Sequence, residues 1–120
     1  MERKKVLIID DSIVTRKSLR DFFSSLQRFD IHEAENAEEG YSSYRKILPD
    51  LVTMDITMKG MNGVELTRKL MEEFPAAKIV MVSASDQQEM VVQALRSGAK
   101  NYIVKPFDND KFAAIVNSIV

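Results

Sequence analysis

"VLIIDDSIVTRKSL", Val6–Leu19, joins two kinds of segment across a pair of aspartates. Val6–Ile9 is continuously apolar, which predicts a strand buried on both faces. Beyond the aspartates the period changes. Leu19, Phe22, Phe23 and Leu26 recur at i, i+3, i+4 and i+7, the stripe of an amphipathic helix. Between strand and helix stand Asp10 and Asp11, at the end of a segment that reads as core. Burying one carboxylate without a partner is costly, and two side by side also repel each other. A compensating group is therefore expected at this junction.

Outward from the junction the same alternation repeats. Short runs "DIHEA" (Asp30–Ala34), "LVTM" (Leu51–Met54), "IVMV" (Ile79–Val82) and "YIV" (Tyr102–Val104) read as further strands. The third and fourth strands are nearly continuous apolar or β-branched runs, like the first. The second alternates and the fifth is short, so both are expected at sheet edges. Stripes over Tyr41, Tyr44 and Leu48, over Leu66, Leu70 and Phe74, over Val91, Ala94 and Leu95, and over Phe112, Ile115, Val116 and Ile119 predict helices whose apolar faces are core. Asn36 with Glu39 and Asp86 with Glu89 read as capping boxes, and Pro75 and Gly98 as stops. Five strands alternating with five helices predict an α/β fold, a parallel sheet covered on both faces with right-handed crossovers. Pattern alone does not order the strands.

Composition sets the outer bounds. The chain has 120 residues, 45% hydrophobic and 29% charged, the size and balance of one soluble domain, here residues 1–120. Seventeen basic against eighteen acidic side chains leave a net charge of −1, no electrostatic reason to expect nucleic acid or membrane as a partner. The absence of cysteine excludes disulfides and thiolate metal sites. The start, "MERKKVLIIDD", is basic, but its apolar run is too short for a secretory signal or a spanning helix. A cytoplasmic protein is expected.

In open parallel sheets ligands bind outside the carboxyl ends of the strands. Strand one ends in Asp10-Asp11, strand three in Asp55, strand four in Ser83 and strand five in Lys105-Pro106. Each has an ordinary alternative: Asp11 or Ser12 as a helix cap, Asp55 as a turn residue, Ser83 as a satisfied core hydroxyl, Lys105 as a solvated lysine. Their shared placement at one rim favours a joint role. Three oxygen-donor acids without cysteine or a nearby histidine suit a hard divalent cation, Mg²⁺ first, and that cation offsets the repulsion. A lysine and a serine on the same rim can donate to phosphoryl oxygens. One carboxylate, Asp55 by preference, is then free to act as nucleophile and form an acyl phosphate.

These residues carry a resemblance. "VLIIDDS", "PDLVTMDITM" followed by "MNG", "VSA" and "GAKNYIVKPF", in that order and spacing, resemble the response-regulator receiver domain in its single-domain chemotaxis (CheY-like) form, over essentially the whole chain. The resemblance implies a flavodoxin-like (βα)5 three-layer sandwich with sheet order 2-1-3-4-5, an order that comes with the family. It implies that Asp55 accepts a phosphoryl group from the phosphohistidine of a sensor kinase. Asp11 directly and Asp10 mainly through water would hold Mg²⁺, for which Mn²⁺ could substitute, with Asp55 and the backbone carbonyl of Thr57 completing the protein ligands. Ser83 matches the switch hydroxyl, Lys105 the phosphate-contacting lysine, Tyr102 the switch aromatic, and Pro106 a proline after a cis peptide. The fourth helix, fifth strand and fifth helix match the surface that partners read. Thr57 and Ser85 match positions that tune phosphate loss.

The implied activity is a phosphoacceptor switch rather than an enzyme on other substrates. Its implied partners are a CheA-like histidine kinase, a phosphatase and the flagellar motor switch protein. A monomer is expected, with a phosphorylation-dependent dimer as the alternative. An excised receiver of a longer regulator, with DNA-binding or enzymatic output, is the alternative within the family. Outside it stand a flavodoxin-like cofactor binder, disfavoured by carboxylates where a phosphate cradle belongs, and a Mg²⁺-dependent phosphohydrolase, disfavoured because no substrate-covering insertion is evident. One departure is visible. The loop reads "MKGMNG", with Lys59 where the family usually has proline and Gly60 next, which is expected to loosen it. Lone His32 reads as a sheet-face residue.

Overall fold

The computed structural model describes residues 3–120; Met1 and Glu2 of the basic amino-terminal stretch lie outside it. Strands and helices alternate throughout: β1 (Lys4–Ile9), α1 (Ile13–Ser25), β2 (Phe29–Ala34), α2 (Ala37–Ile47), β3 (Leu51–Met54), α3 (Gly63–Glu73), β4 (Ile79–Ser83), α4 (Gln88–Arg96), β5 (Asn101–Val104) and α5 (Asn109–Ile119). The five strands form one parallel sheet in the order β2-β1-β3-β4-β5, the flavodoxin-like arrangement. The nearly continuous apolar or β-branched strands are central and the alternating and short ones are the edges, as their side chains require.

Alternation along β1 divides the core. Leu7 and Ile9 face one layer with Val52, Met54, Ile79 and Met81, where Tyr44, Leu66, Leu70 and Ala94 of α2, α3 and α4 close over them. Val6 and Ile8 face the other, with Leu19, Phe22 and Phe23 of α1 and Phe112 and Val116 of α5. Val6, Leu7, Ile8 and Ile9 are completely buried, each worth roughly 1.5–3 kcal/mol of apolar transfer. The second layer is aromatic: the Phe22 and Phe112 rings stack with centroids 4.5 Å apart, and Phe23 meets both edge-on.

Some local expectations are corrected. Asn36 does cap α2, its Oδ1 accepting from Glu39 N at 2.8 Å, but Asp86 caps nothing. The N-cap of α4 is Gln87, without a side-chain cap bond, and the Gln87 amide donates to Ser85 Oγ instead. Leu48 is no core residue: it ends α2 in the left-handed region (φ 50°) with its side chain exposed. Leu95 is also exposed, with Val92 and Val104 nearby in sequence on α4 and β5, so the α4 stripe buries Ala94 alone. Ser12 rather than Asp11 caps α1. Among the described residues, no helix is long and apolar enough to cross a membrane.

The order places β1 between β2 and β3, so the connections leaving β1 and β3 run to opposite faces. The carboxyl ends of strands at such a switch point are where sheets of this kind bind ligands. Asp10 directly follows β1 and Asp55 directly follows β3.

Candidate functional site

The strand ladder itself delivers the acidic residues. Asp10 N donates to Ala34 O at 3.1 Å and Asp55 N to Ile9 O at 2.9 Å, so each backbone is held one residue past its strand. One carboxylate oxygen from each of Asp10, Asp11 and Asp55 lies within 4.8 Å of the other two. Asp10 and Asp55 are buried and Asp11 is exposed. Lys105, one residue past β5, reaches back across the sheet to both buried acids. Its Nζ is 2.9 Å from Asp10 Oδ2 and 3.7 Å from Asp55 Oδ1. Its own backbone N–H donates to Ser83 O at 2.8 Å, and the Lys105–Pro106 peptide is cis.

Three carboxylates thus face one ammonium, and the imbalance is felt at Asp55. Burial pushes its carboxyl up to about 6, and the Asp10 charge adds to the rise. Lys105 pulls the other way, Asp11 pushes it up again, and a backbone hydrogen bond at Thr57 draws it down. A set of hard oxygen donors with excess negative charge and no sulfur or nitrogen ligand fits Mg²⁺ or Mn²⁺ better than a softer metal.

Beside the acids lies an open depression of about 480 Å³, lined by Asp55, Thr57, Ser83, Ala84, Ser85, Asp86, Gln87 and Lys105. Ser83, the last residue of β4, is buried, and its Oγ accepts from Ser85 N at 3.3 Å. Tyr102 is not in the depression but is tied to its wall. The half-buried ring packs on the core, and its hydroxyl donates to Ser85 O at 2.7 Å. One carbonyl therefore links the expected switch aromatic to the loop after Ser83. The structure brings together Asp10, Asp11, Asp55, Thr57, Ser83 and Lys105, with Tyr102 one hydrogen bond away. His32 lies on β2, off the rim.

Two contributors were not legible as such. Gly63 of the "MNG" motif is glycine for lack of space: a Cβ there would sit 2.0 Å from Asp55 O and 3.0 Å from Ile56 Cα. Only glycine lets α3 begin this close beneath the acidic rim. Arg16 belongs to none of the sequence motifs, yet its Nη1 donates to Asp10 O at 2.7 Å. Lys59 and Gly60, singled out by the departure from proline, do not line the acidic depression. They line a separate groove of about 530 Å³ between α2 and α3, with Tyr41, Met61 and Lys69.

Comparison with known proteins agrees with this geometry. The family model of the response regulator receiver domain matches residues 6–117. The chain is 40% identical to the chemotaxis protein CheY of Thermotoga maritima over 116 residues, covering 97% of each. It is 42% identical to CheY of Listeria monocytogenes over 107 residues, covering 89% of this chain and 90% of that one. Among solved structures, the CheX–CheY–BeF₃–Mg²⁺ complex from Borrelia burgdorferi contains a chain that superimposes with a TM-score of 0.92 at 37% identity, covering 98% of this chain and 90% of that one.

Proposed function

This chain belongs to the response regulator receiver family, CheY-like at the level of two-component and chemotaxis signalling, and from that premise we propose that Asp55 is its phosphoryl acceptor. The observation that carries the reading is the position of Lys105 Nζ, 3.7 Å from Asp55 and 2.9 Å from Asp10, the two buried members of the acid trio. That arrangement surrounds one carboxylate with the groups an incoming phosphoryl needs.

Receiver domains bind Mg²⁺ at an acidic pocket, and Asp10, Asp11, Asp55 and the carbonyl of Thr57 would hold it here. When bound, Mg²⁺ neutralises charge on the phosphoryl oxygens. The protein groups do the rest. An Asp55 carboxylate oxygen attacks the phosphorus of a phosphohistidine. The P–N bond breaks, its electron pair stays on the imidazole nitrogen, and that nitrogen takes up a proton. Lys105 moves its contact from the carboxylates to the new phosphoryl oxygens, and the Ser83 hydroxyl donates to another. For dephosphorylation, water attacks the same phosphorus, the P–O bond to Asp55 breaks, and inorganic phosphate leaves with the free carboxylate restored. Such a switch catalyses only its own loading and unloading.

Ser83 and Tyr102 would report the loaded state. A Ser83 hydroxyl drawn to the phosphoryl group releases the Ser85 amide it now accepts from, and the Tyr102 hydroxyl holds the carbonyl of that same Ser85. The outcome is read on α4, β5 and α5, where Val92, Leu95 and Val104 are exposed. The donor is a histidine kinase of CheA type. The solved CheX–CheY complex supports a CheX-like partner and the CheY relatives support a chemotaxis role; a phosphatase and the flagellar motor switch protein are the partners the family resemblance implies.

Intact mass after incubation with acetyl phosphate tests the proposal. A single Mg²⁺-dependent phosphoryl adduct, absent in Asp55→Asn, is expected. An adduct retained in Asp55→Asn would overturn the assignment.

A further inference from the structure

We infer that Arg16 and Glu33 form a brace that sets the Asp10–Asp11 turn for metal binding, making Arg16 a positioning residue. The inference rests on the acidic rim being a Mg²⁺ site. Asp10 is tied at four points. Its N–H donates to Ala34 O, its Oδ1 accepts from Ser12 N at 2.8 Å, its Oδ2 accepts from Lys105 Nζ, and its carbonyl accepts from Arg16 Nη1 at 2.7 Å. The last tie is the unusual one. Asp10 lies one residue beyond the paired part of β1, where the ladder to β2 ends at Ile9 opposite Ala34. Its carbonyl would otherwise need water or a donor from elsewhere.

Arg16 supplies that donor from the first turns of α1, and its position is itself fixed. Its Nε is 3.2 Å from Glu33 Oε1 on β2, and its side chain is only 12% exposed. The other Glu33 oxygen meets Arg20 Nε at 3.1 Å, so the carboxylate is held from both sides. A guanidinium presents its donors in a rigid fork, so one side chain can hold a carbonyl and a carboxylate at once. Lysine, with one compact charge, cannot span both. The brace therefore connects an edge strand and a helix to the residue that orients the acidic pair, and outer contacts of this kind commonly set metal affinity.

Electrostatics makes the test sharp. Arg16 places a positive charge beside a site for a divalent cation, so removing the charge alone should tighten Mg²⁺ binding. Loss of positioning should weaken it. The experiment is a Mg²⁺ titration followed by amide chemical shifts in the wild type, Arg16→Met, Arg16→Lys, Glu33→Gln and Arg20→Met, with amide hydrogen exchange on the metal-free proteins. Arg16→Met is expected to weaken Mg²⁺ about 10-fold and to speed exchange at the Ser12 amide. Arg16→Lys should fall between it and wild type, and Arg20→Met should stay near wild type. Equal or tighter binding in a folded Arg16→Met, with Ser12 exchange unchanged, would overturn the brace. If Arg16→Met does not fold, Arg16→Lys and Glu33→Gln decide by the same two readouts. A wild type that binds no Mg²⁺ would instead sink the metal reading, and the exchange arm would still decide whether the brace exists.

Discussion

Phe112 and Asp55 are shielded from solvent to nearly the same degree, 0% and 5% exposed, and their burial acts in opposite directions. Phe112 stacks on Phe22 and meets Phe23 and Phe107 edge-on in the layer beneath α1 and α5. Every atom it removes from water is apolar, so its burial stabilises. Asp55 is buried among like charges, and its ionised form is disfavoured in the fold. The aromatic layer holds the sheet while the rim at its carboxyl edge strains against it, and that strain is what a cation or a proton can relieve. Substitutions in the two regions should therefore shift stability with opposite signs.

The largest expected effect is in the aromatic layer. Phe112→Ala should cost about 3–5 kcal/mol in urea unfolding, and by the same amount with or without Mg²⁺. A loss that depends on Mg²⁺ would break the separation between layer and rim.

Next comes the rim, with the sign reversed. The Asp55 carboxyl rises from 3.8 to about 6 on folding. A raised folded value means the folded state binds the proton more tightly. The stabilisation is full below pH about 4 and is lost as pH rises through about 6. Asp55→Asn should therefore stabilise the metal-free protein at pH 8 by on the order of 2–3 kcal/mol, and far less at pH 4. Saturating Mg²⁺ should stabilise the wild type more than the variant and narrow the gap. A metal-free Asp55→Asn less stable than wild type at pH 8 would contradict the account.

How much of this division could be read along the chain follows from what each feature depends on. The central strands and the rim acids were legible because burial on both faces writes continuous apolar runs, as in Val6–Ile9, and strand ends then follow by position. The order 2-1-3-4-5 came with the family resemblance. Three features depend on close approaches in the folded chain that no periodicity or motif records: the Arg16 contact to Asp10 O, the Gly63 approach to Asp55 O, and the Tyr102 bond to Ser85 O. The failed Asp86 cap shows the reverse case. The local pattern was present, but α4 begins one residue later, at Gln88 after the N-cap Gln87, so Asp86 stands before the cap position and the Gln87 amide donates to Ser85 Oγ.

A smaller test lies within the apolar sheet. Thr53, on β3, is buried and its hydroxyl has no hydrogen-bond partner, a polar defect in an apolar strand. Thr53→Val keeps the branched shape and removes the orphan group, so it should stabilise by about 1 kcal/mol. Thermal unfolding would check it, and a destabilised variant would mean that the hydroxyl is satisfied in solution.

The smallest effect belongs to the loop between rim and layer. Lys59 is exposed and Gly60 has φ +81° with open space around its Cα, while Met58 just before them is buried and Asn62 just after caps α3 through Glu65 N. The loop is thus anchored at both ends and free in the middle. Lys59→Pro removes freedom from the unfolded chain, worth about 0.5 kcal/mol, and restricts Met58 to extended backbone. Because Lys59 lines the groove between α2 and α3 rather than the acidic depression, Mg²⁺ affinity should stay within a few-fold. Amide exchange over residues 58–62 should slow. If exchange is unchanged, the loop is already held by its two anchors, and glycine in its middle does not loosen it.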